Sequence, residues 1–528
     1  MRNNQIFCIC IAIMISCLLL TFMHQSGLAA DGIPPGDENW DDAIGAQGAN
    51  GFVGGVTFSH TQIIAGGSFN RVGSTTASIG GWDFSNWNAL NVNGNNTVYS
   101  LAYDSIRNIL YAGGSFTGLD GCSSGCNSIA KWDGSNWTGL DKGLNGAVLA
   151  MILDQDGNLY AGGSFTQAGS TDATYIAKWD GRGWSAMGDG IAGDVFALAF
   201  DSKGILYAGD NTGGLYYWDS TNSNWSSFIT AGGGIFALAF DSLDHLYIGG
   251  SFNDYGNHIV MWDGTTMQNL EEGILDAVSA LSVDSCDGVY VGTSGSRDSS
   301  PIMYWDGTDW SGLGNGIEVF SGEYVQTLSY QHGLLAVGGL FNQSGGKTAK
   351  NIALWTGADC AKVNGPGNYT LYADNLPITI TLTEWDENIS KLRIQRYNTN
   401  HPYATEPLQT GFYWRIEALD YQGMPASGYS LNLTMTAPFE PDNNDKLCHF
   451  DENKFSWNCS MSSFDELHHT LTVNGVTSLS DWAIGNNAGP TMVQILDIQA
   501  SSRSSVFHSV LLALLLGLAL VWIVGIKR

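Results

Sequence analysis

Short apolar runs in which small and large side chains alternate recur between residues 52 and 356 of this 528-residue chain. In the run VFALAFD, the large side chains of Phe196, Leu198 and Phe200 alternate with small or branched ones. Alternation with apolar groups on both faces is typical of a strand buried on both sides. Each run is followed by an LYAGG-like strand, an IAKW-like strand and a short strand with a second aromatic residue. The pattern predicts a repeat of four strands.

The repeats are counted by a tryptophan near the end of each third strand. These tryptophans are Trp82, Trp132, Trp179, Trp218, Trp262, Trp305 and Trp355. A period of roughly 40–50 residues built from short strands is typical of a β-propeller with one blade per repeat. Asp-Gly pairs such as Asp133-Gly134 suit the hairpin between the third and fourth strands. The sequence therefore predicts a seven-bladed β-propeller over residues 38–360.

The seventh repeat has no fourth strand after Trp355. An equivalent segment precedes the first repeat, because Trp40-Asp-Asp-Ala-Ile before Gly45 is similar to Trp184-Ser-Ala-Met before Gly188, with one extra residue. We therefore expect a strand around residues 40–44 to complete blade seven, which would remove two exposed sheet edges.

Residues 366–488 carry a second set of strand signals. The runs at 378–383 (ITITLT), 431–436 (LNLTMT) and 471–473 alternate, and residues 413–416 and 454–459 are further candidates. Strands of this length between Asn, Asp, Pro and Gly favour an antiparallel β-sandwich. The predicted fold class is all-β.

Both ends of the chain have features of an exported, anchored protein. Residues 1–30 have Arg2, an apolar stretch at 6–23 and small residues before position 31, which is typical of a secretory signal peptide. Residues 506–526 are almost entirely apolar, long enough for a transmembrane helix, and Lys527-Arg528 favours a cytoplasmic tail at 527–528. Residues 489–505 would be a tether. A removable sorting or lipid-anchor tail is the alternative to a retained helix.

The net charge and the number of cysteines indicate which partners and which cellular compartment the protein has. The net charge is −29 with only 21 Lys and Arg, which disfavours nucleic acid as a partner. Six cysteines remain after the predicted signal, an even number that favours disulfides in an oxidising compartment over zinc sites. Cys122 with Cys126 and Cys448 with Cys459 are the expected pairs, and elimination leaves Cys286 and Cys360 available to each other.

The repeat resembles the propellers of the kelch and galactose-oxidase type. It resembles even more closely the Gly-Gly-Ser-Phe repeats of exported bacterial surface proteins, where a β-sandwich ending similarly to residues 476–486 (VTSLSDWAIGN) follows the propeller. The resemblance covers roughly residues 40–490 and implies this architecture. The family has no agreed activity, so the resemblance transfers no functional residue.

The sequence gives little support for catalysis. Copper chemistry would need converging histidines, whereas residues 38–360 contain only His60, His245, His258 and His332. There is no P-loop or His-Glu-x-x-His, and the Gly-x-Ser-x-Gly string at residues 121–125 (GCSSG) lies in a loop between the second and third strands of its repeat. The sequence therefore favours a protein that is not an enzyme and has no cofactor. A polysaccharide hydrolase or lyase that uses acids in the propeller channel is an alternative, since paired acids have no local motif.

An aspartate ends the first strand of most repeats. The set is Asp104, Asp154, Asp201, Asp241 and Asp284. A ring of carboxylates could hold Ca²⁺, or each Asp could accept hydrogen bonds from its own turn. Repetition in nearly every blade favours the turn role, because a binding site normally breaks the symmetry.

The loops between the second and third strands vary most in length, from residues 210–213 to the cysteine-bearing residues 118–127. Variable loops on a repeated frame are the usual seat of recognition. We therefore predict a binding surface that includes Arg71, Asp120, Asp172, Tyr255, Arg297 and Lys347. The predicted function is binding or adhesion at the cell surface, with an extracellular glycan or protein as the partner, and a structural envelope component is a further alternative.

Overall fold

A computed structural model of the protein describes most of the chain between Gly36 and Gly485. The described residues are 36–91, 97–122, 124–295, 300–318, 322–373, 376–385, 388–398, 412–420, 424–427, 429–436, 446–451, 456–459, 462–465 and 470–485. The predicted signal peptide, tether, transmembrane helix and cytoplasmic tail lie outside these residues.

The described residues form an all-β protein in two compact units, with the division between Gly357 and Ala358. Only Asp42–Ala46 is α-helical in this part of the chain, and Asp37–Asn39 forms a 3₁₀ turn. Within the same residues, no helix is long and apolar enough to cross a membrane.

The first unit contains seven antiparallel sheets of four strands, numbered 1–7 in chain order, with strands a to d in each. Strands a are Phe52–Phe58, Thr97–Asp104, Val148–Leu153, Val195–Phe200, Ile235–Phe240, Val278–Val283 and Tyr324–Gln331. Strands b are Ile63–Ser68, Ile109–Ser115, Leu159–Gly163, Leu206–Asp210, Leu246–Gly250, Val289–Thr293 and Leu334–Leu340. Strands c are Ile79–Trp82, Ile129–Trp132, Ile176–Trp179, Gly214–Asp219, Ile259–Trp262, Ile302–Trp305 and Ile352–Thr356. Strands d are Trp87–Asn91, Trp137–Gly139, Trp184–Ala186, Asn224–Thr230, Met267–Asn269, Trp310–Gly312 and, in sheet 7, Trp40–Asp41.

Small hairpins extend three of the loops between strands b and c. They pair Arg71–Val72 with Thr75–Thr76, Gln167–Ala168 with Thr171–Asp172, and Gln343–Ser344 with Lys347–Thr348.

The fourth strand of sheet 7 comes from the N-terminal side of the unit. Trp40 pairs with Trp355 and Asp41 with Leu354. The predicted strand over residues 40–44 is wrong beyond Asp41, because the Asp41 carboxylate accepts hydrogen bonds from the Ala43 and Ile44 N–H groups and caps a short helix. The buried Ile44 side chain then packs in the core beside sheet 1.

Consecutive sheets pack through a glycine in strand b, which is the first of a Gly-Gly pair in five sheets and a single glycine, Gly209 or Gly292, in sheets 4 and 6. In sheet 1 a Cβ at Gly66 would lie 2.8 Å from Val98 Cγ1 of sheet 2, so only glycine fits at this approach. The same relation joins Gly113 to Val148, Gly162 to Val195, Gly209 to Ile235, Gly249 to Val278, Gly292 to Val325 and, from sheet 7 to sheet 1, Gly338 to Val53.

A second repeated link joins the outer strands. The indole Nε1 of a tryptophan at or next to the start of strand d donates to a backbone carbonyl at the end of strand d of the preceding sheet or just after it. The pairs are Trp137 to Leu90, Trp184 to Leu140, Trp225 to Met187, Trp310 to Leu270 and Trp40 to Leu313, at 2.8–3.1 Å. Sheet 5 has Met267 in this place, and the buried Trp87 Nε1 of sheet 1 has no hydrogen-bond partner among the described residues.

The second unit contains two antiparallel sheets. In sheet order, the six-stranded one is Ala358–Lys362, Lys391–Tyr397, Tyr413–Leu419, Asp481–Gly485, Lys446–Asp451 and Ser456–Asn458. The five-stranded one is Gly367–Ala373, Leu376–Glu384, Ser430–Thr436, Thr470–Val476 and Ser462–Asp465. Buried side chains of both sheets, including Ile380, Leu433 and Ile416, form one core. The predicted propeller boundary at residue 360 is wrong, because Ala358–Lys362 pairs with Lys391–Tyr397 of this unit.

Candidate ligand-binding site

Strand a carries a β-bulge at the same place in all seven sheets. In sheet 4, Val195 pairs with Asp210 and Ala197 pairs with the adjacent Gly209, which leaves Phe196 without a partner on strand b. The seven residues skipped in this way, called here the bulge residues, are Gly54, Tyr99, Leu149, Phe196, Phe236, Ser279 and Gln326. A bulge changes the direction of its side chain and is common beside functional sites.

All seven bulge residues line one cavity of about 760 Å³ in the first unit. The rest of its wall comes mainly from neighbours in the same strands, such as Phe52, Tyr324 and Thr327. This volume falls within the range of roughly 300–1,000 Å³ that is usual for small-molecule sites. The repeated bulge therefore gives each of the seven sheets one position in a shared cavity.

The bulge residues differ in chemistry from one side of the cavity to the other. Sheets 2–5 contribute Tyr99, Leu149, Phe196 and Phe236, which we call the apolar side. Sheets 6, 7 and 1 contribute Ser279, Gln326 and Gly54, which we call the polar side. Phe196 and Phe236 meet edge to face, with ring centroids 5.4 Å apart. Phe52 and Tyr324 form a second aromatic pair in the wall, at 5.9 Å.

The cavity wall carries no Asp, Glu, Lys, Arg or His among the residues that the structure describes. Its polar groups are neutral. Burial raises the pKa of Tyr324, and the nearby Tyr99 phenol adds to this shift, so the Tyr324 hydroxyl stays protonated at neutral pH. The Ser279 hydroxyl is already used, since it donates to the carbonyl oxygens of Gly292 and Val325.

The aspartates that end strands a serve their own turns. In each, Oδ1 accepts two backbone N–H groups from the next four residues, as Asp241 does from Leu243 and His245 at 2.9 Å. The others are Asp104, Asp154, Asp201 and Asp284. Burial opposes ionisation of Asp104, but hydrogen bonds from the Arg107 side chain and from turn N–H groups lower its pKa overall.

The second carboxylate oxygen of most of these aspartates is also engaged. Asp104 Oδ2 accepts from Arg107, Asp154 Oδ2 from Asn158 and Asp284 Oδ2 from Tyr304, while Asp241 Oδ2 contacts His245 Nδ1. No group of three or more His, Cys, Asp or Glu that could hold a metal ion occurs within the described residues. The geometry thus favours the turn role of these aspartates over a Ca²⁺ ring.

The structure describes five of the six residues predicted for the loop surface. Arg71 and Asp172 are exposed in separate hairpins, and Asp172 accepts a hydrogen bond from Gln167. The Asp120 N–H donates to Asn91 Oδ1, and Tyr255 packs against a hydrophobic core. Arg297 lies outside the described residues.

Lys347 has a structural contact instead. Its Nζ donates to the Trp40 carbonyl oxygen at 2.6 Å, next to the strand that completes sheet 7. None of these five described residues belongs to the cavity wall.

The disulfides involve the cysteines after the predicted signal. Cys122 is bonded to Cys126 and Cys448 to Cys459. Cys286 and Cys360 are each disulfide-bonded as well.

The bulge residues are absent from the set predicted from sequence, although a signal for them is present. The residue after the first Val or Ile of strand a is Gly, Tyr, Leu, Phe, Phe, Ser or Gln, while the residues on both sides of it are much more uniform. One variable position inside an otherwise repeated strand would have marked the cavity.

No protein-family model matches the chain, and no curated protein matches it. Among solved structures, the computationally designed Ika8 protein is similar at 17% sequence identity and a TM-score of 0.40. That similarity covers 60% of this chain and 99% of the designed one.

Proposed function

We propose that the protein is a non-enzymatic binding protein built on a seven-bladed β-propeller, with its ligand held in the central cavity. The seven sheets would be the blades, and the Trp40–Asp41 strand would complete the last one. The succession of glycine contacts supports this arrangement, since it runs from each sheet to the next and from Gly338 of sheet 7 to Val53 of sheet 1. The second unit would be a β-sandwich.

The proposal rests mainly on one observation, which is that all seven bulge residues line the same cavity. A bulge interrupts a ladder of hydrogen bonds and is retained where it re-aims a side chain. Here the same irregularity recurs in every sheet, yet the side chains that it presents differ. A repeated frame with varied side chains at one point is the arrangement expected of a recognition site.

The cavity replaces the loop surface as the proposed site. Two of the loop residues have structural contacts, because Lys347 Nζ donates to the Trp40 carbonyl oxygen and the half-buried Tyr255 packs against a hydrophobic core. The cavity also offers no support for a hydrolase or lyase that uses channel acids, since the described wall contains no Asp or Glu.

We further propose that the protein is exported and held at the cell surface by its C-terminal segment. The apolar segments at 6–23 and 506–526 support this proposal. The six disulfide-bonded cysteines support it as well, because disulfides persist in oxidising compartments outside the cytosol.

A glycan array tests the function. The full-length protein, purified in a detergent without a sugar headgroup, is compared with the double variant F196A/F236A. We expect ligands of the wild type to be lost in the variant. Phe84→Ala is the matched control, because Phe84 is 36% exposed in a turn of sheet 1 and is not part of the cavity wall. Ligands bound equally by all three proteins would overturn the proposed site.

A further inference from the structure

We infer that the cavity takes a neutral pyranose ring of a glycan, with the apolar face of the sugar on Phe196 and Phe236 and its hydroxyl edge toward Gln326. This inference rests on the proposed function and adds the ligand class and the orientation of the ligand. It follows from the different chemistry of the two sides of the cavity, from the absence of charge in its described wall, and from its volume of about 760 Å³.

The apolar side offers a surface for a ring. Phe196 and Phe236 come from adjacent sheets, touch edge to face at 5.4 Å, and are only half-buried. Apolar surface left in contact with water costs roughly 25 cal/mol per Å². A ligand that covers these rings with C–H groups would remove that surface from water, and one face of a pyranose presents such groups.

The polar side offers hydrogen bonds to hydroxyl groups. The Gln326 amide supplies two donors and an acceptor, and it lies half-buried in the wall. No residue in the described part of the chain hydrogen-bonds to this amide. The Tyr324 hydroxyl, in the same strand as Gln326, can donate or accept, and so can the hydroxyl of Tyr99 on the apolar side. Neutral donors and acceptors of this kind match the hydroxyl groups along the edge of a sugar.

The absence of charged side chains in the described wall favours a neutral sugar over an anionic ligand. A carboxylate, sulfate or phosphate placed in the cavity would lose water and meet no cation in the described wall. A wholly apolar ligand would cover the aromatic rings but would leave the Gln326 amide without a partner, which is costly for a buried group. A neutral sugar satisfies both sides.

Saturation-transfer NMR with small probes tests the inference on the full-length protein. The probes are the methyl pyranosides of glucose, galactose, mannose and N-acetylglucosamine, with methyl glucuronoside as the charged analogue and phenol as the apolar one. We expect at least one neutral pyranoside to bind, with the strongest saturation on the C–H groups of one ring face. The charged analogue should bind at least roughly tenfold more weakly, a difference of about 1.4 kcal/mol.

Two variants test the two sides separately. Phe196→Ala should weaken pyranoside binding roughly tenfold through loss of aromatic contact. Gln326→Leu should weaken the pyranoside but not phenol, because it removes hydrogen bonds and keeps an apolar side chain of similar length. Phe84→Ala should leave every affinity unchanged, and equal thermal melting temperatures would verify that the variants are folded.

The outcomes distinguish this inference from the function on which it rests. Binding of phenol that depends on Phe196, without binding of any pyranoside, overturns the sugar and leaves a ligand-binding cavity. Equal binding of the glucuronoside overturns the requirement for neutrality. If no probe binds, or if every probe binds equally to wild type and Phe196→Ala, both the inference and the proposed site fail.

Discussion

The indole Nε1 of Trp40 donates a 2.9 Å hydrogen bond to the carbonyl oxygen of Leu313, 273 residues further along the chain. The same bond joins the outer strands of four other pairs of sheets, where it links segments much closer in sequence. Trp40 is 1% exposed and also packs against Trp355. The N-terminal segment thus occupies the place that strand d fills in every other sheet.

Trp40→Phe should destabilise the protein by about 1–3 kcal/mol beyond the cost of the smaller ring, because it leaves the Leu313 carbonyl without its donor. Trp87→Phe is the matched control, since Trp87 is also buried at the start of strand d but its Nε1 has no hydrogen-bond partner among the described residues. Urea unfolding of both variants measures the difference. Equal losses would contradict a specific role for the bond.

Gly338→Ala should destabilise the contact between sheets 7 and 1. The added Cβ would lie 2.6 Å from Val53 Cγ1 and 2.8 Å from Thr327 Cγ2, and overpacking of this kind typically costs about 1–3 kcal/mol. Gly183→Ala serves for comparison, because a Cβ there meets nothing within 4 Å. Thermal unfolding should show a lower melting temperature for Gly338→Ala alone. A Gly338→Ala variant as stable as wild type would show that the two sheets do not pack in this way.

Lys347→Met should lower stability and leave ligand binding intact. The ammonium group is within 2.6 Å of the Trp40 carbonyl oxygen, so its removal costs a charge-assisted hydrogen bond of about 1.5–3 kcal/mol. Unfolding measurements and the glycan array on the same variant separate the two effects. Loss of glycan binding at unchanged stability would restore the loop surface as the site.

The stability conferred by Asp37 should fall as the pH rises. Burial raises the pKa of this carboxyl above its ordinary value of 3.8, against the opposing hydrogen bond from the Asn315 N–H. A carboxyl with a higher pKa in the folded state stabilises the protein below its ordinary pKa, and this contribution is lost as the pH rises through the raised value.

Asp37→Asn removes this titration. The free energy of unfolding of the variant, relative to wild type, should therefore improve as the pH rises above about 4, and it should level off once the pH exceeds the raised pKa of Asp37. Urea titrations across this range measure the effect, with the exposed Asp42→Asn as a control that should show no such trend. A pH-independent difference between Asp37→Asn and wild type would contradict the prediction.

Much of the fold can be predicted from the sequence, because each repeat contains residues that are typical of a particular strand or turn. The Trp-bearing strands and Asp-Gly turns predict the four-stranded units, and the similarity of Trp40 to Trp184 points to the origin of the last strand. The helix after Asp41 could not be predicted in this way. It forms because the Asp41 carboxylate accepts hydrogen bonds from two backbone N–H groups, and the chain therefore leaves the hydrogen-bonded strand.

The site is harder to predict because it depends on register. Period-two alternation puts Phe196 on the same face as Leu198, and only the bulge between Val195 and Ala197 changes its direction. Lys347 shows a second limit, since a cation in a variable loop favours a binding surface, and its hydrogen bond to the Trp40 carbonyl oxygen has no signal in the sequence. Both outcomes depend on partners distant in sequence.

The most direct test of the central claim is to crosslink the ligand to a bulge residue. The photoreactive amino acid p-benzoylphenylalanine would replace Tyr99 in one variant and the exposed Phe84 in another, each irradiated with a glycan that the wild type binds on the array. Intact-mass measurement should show the glycan attached at position 99 and not at position 84. Attachment at position 84, or none at position 99 while the glycan still binds, would contradict a binding site in the cavity of the seven bulges.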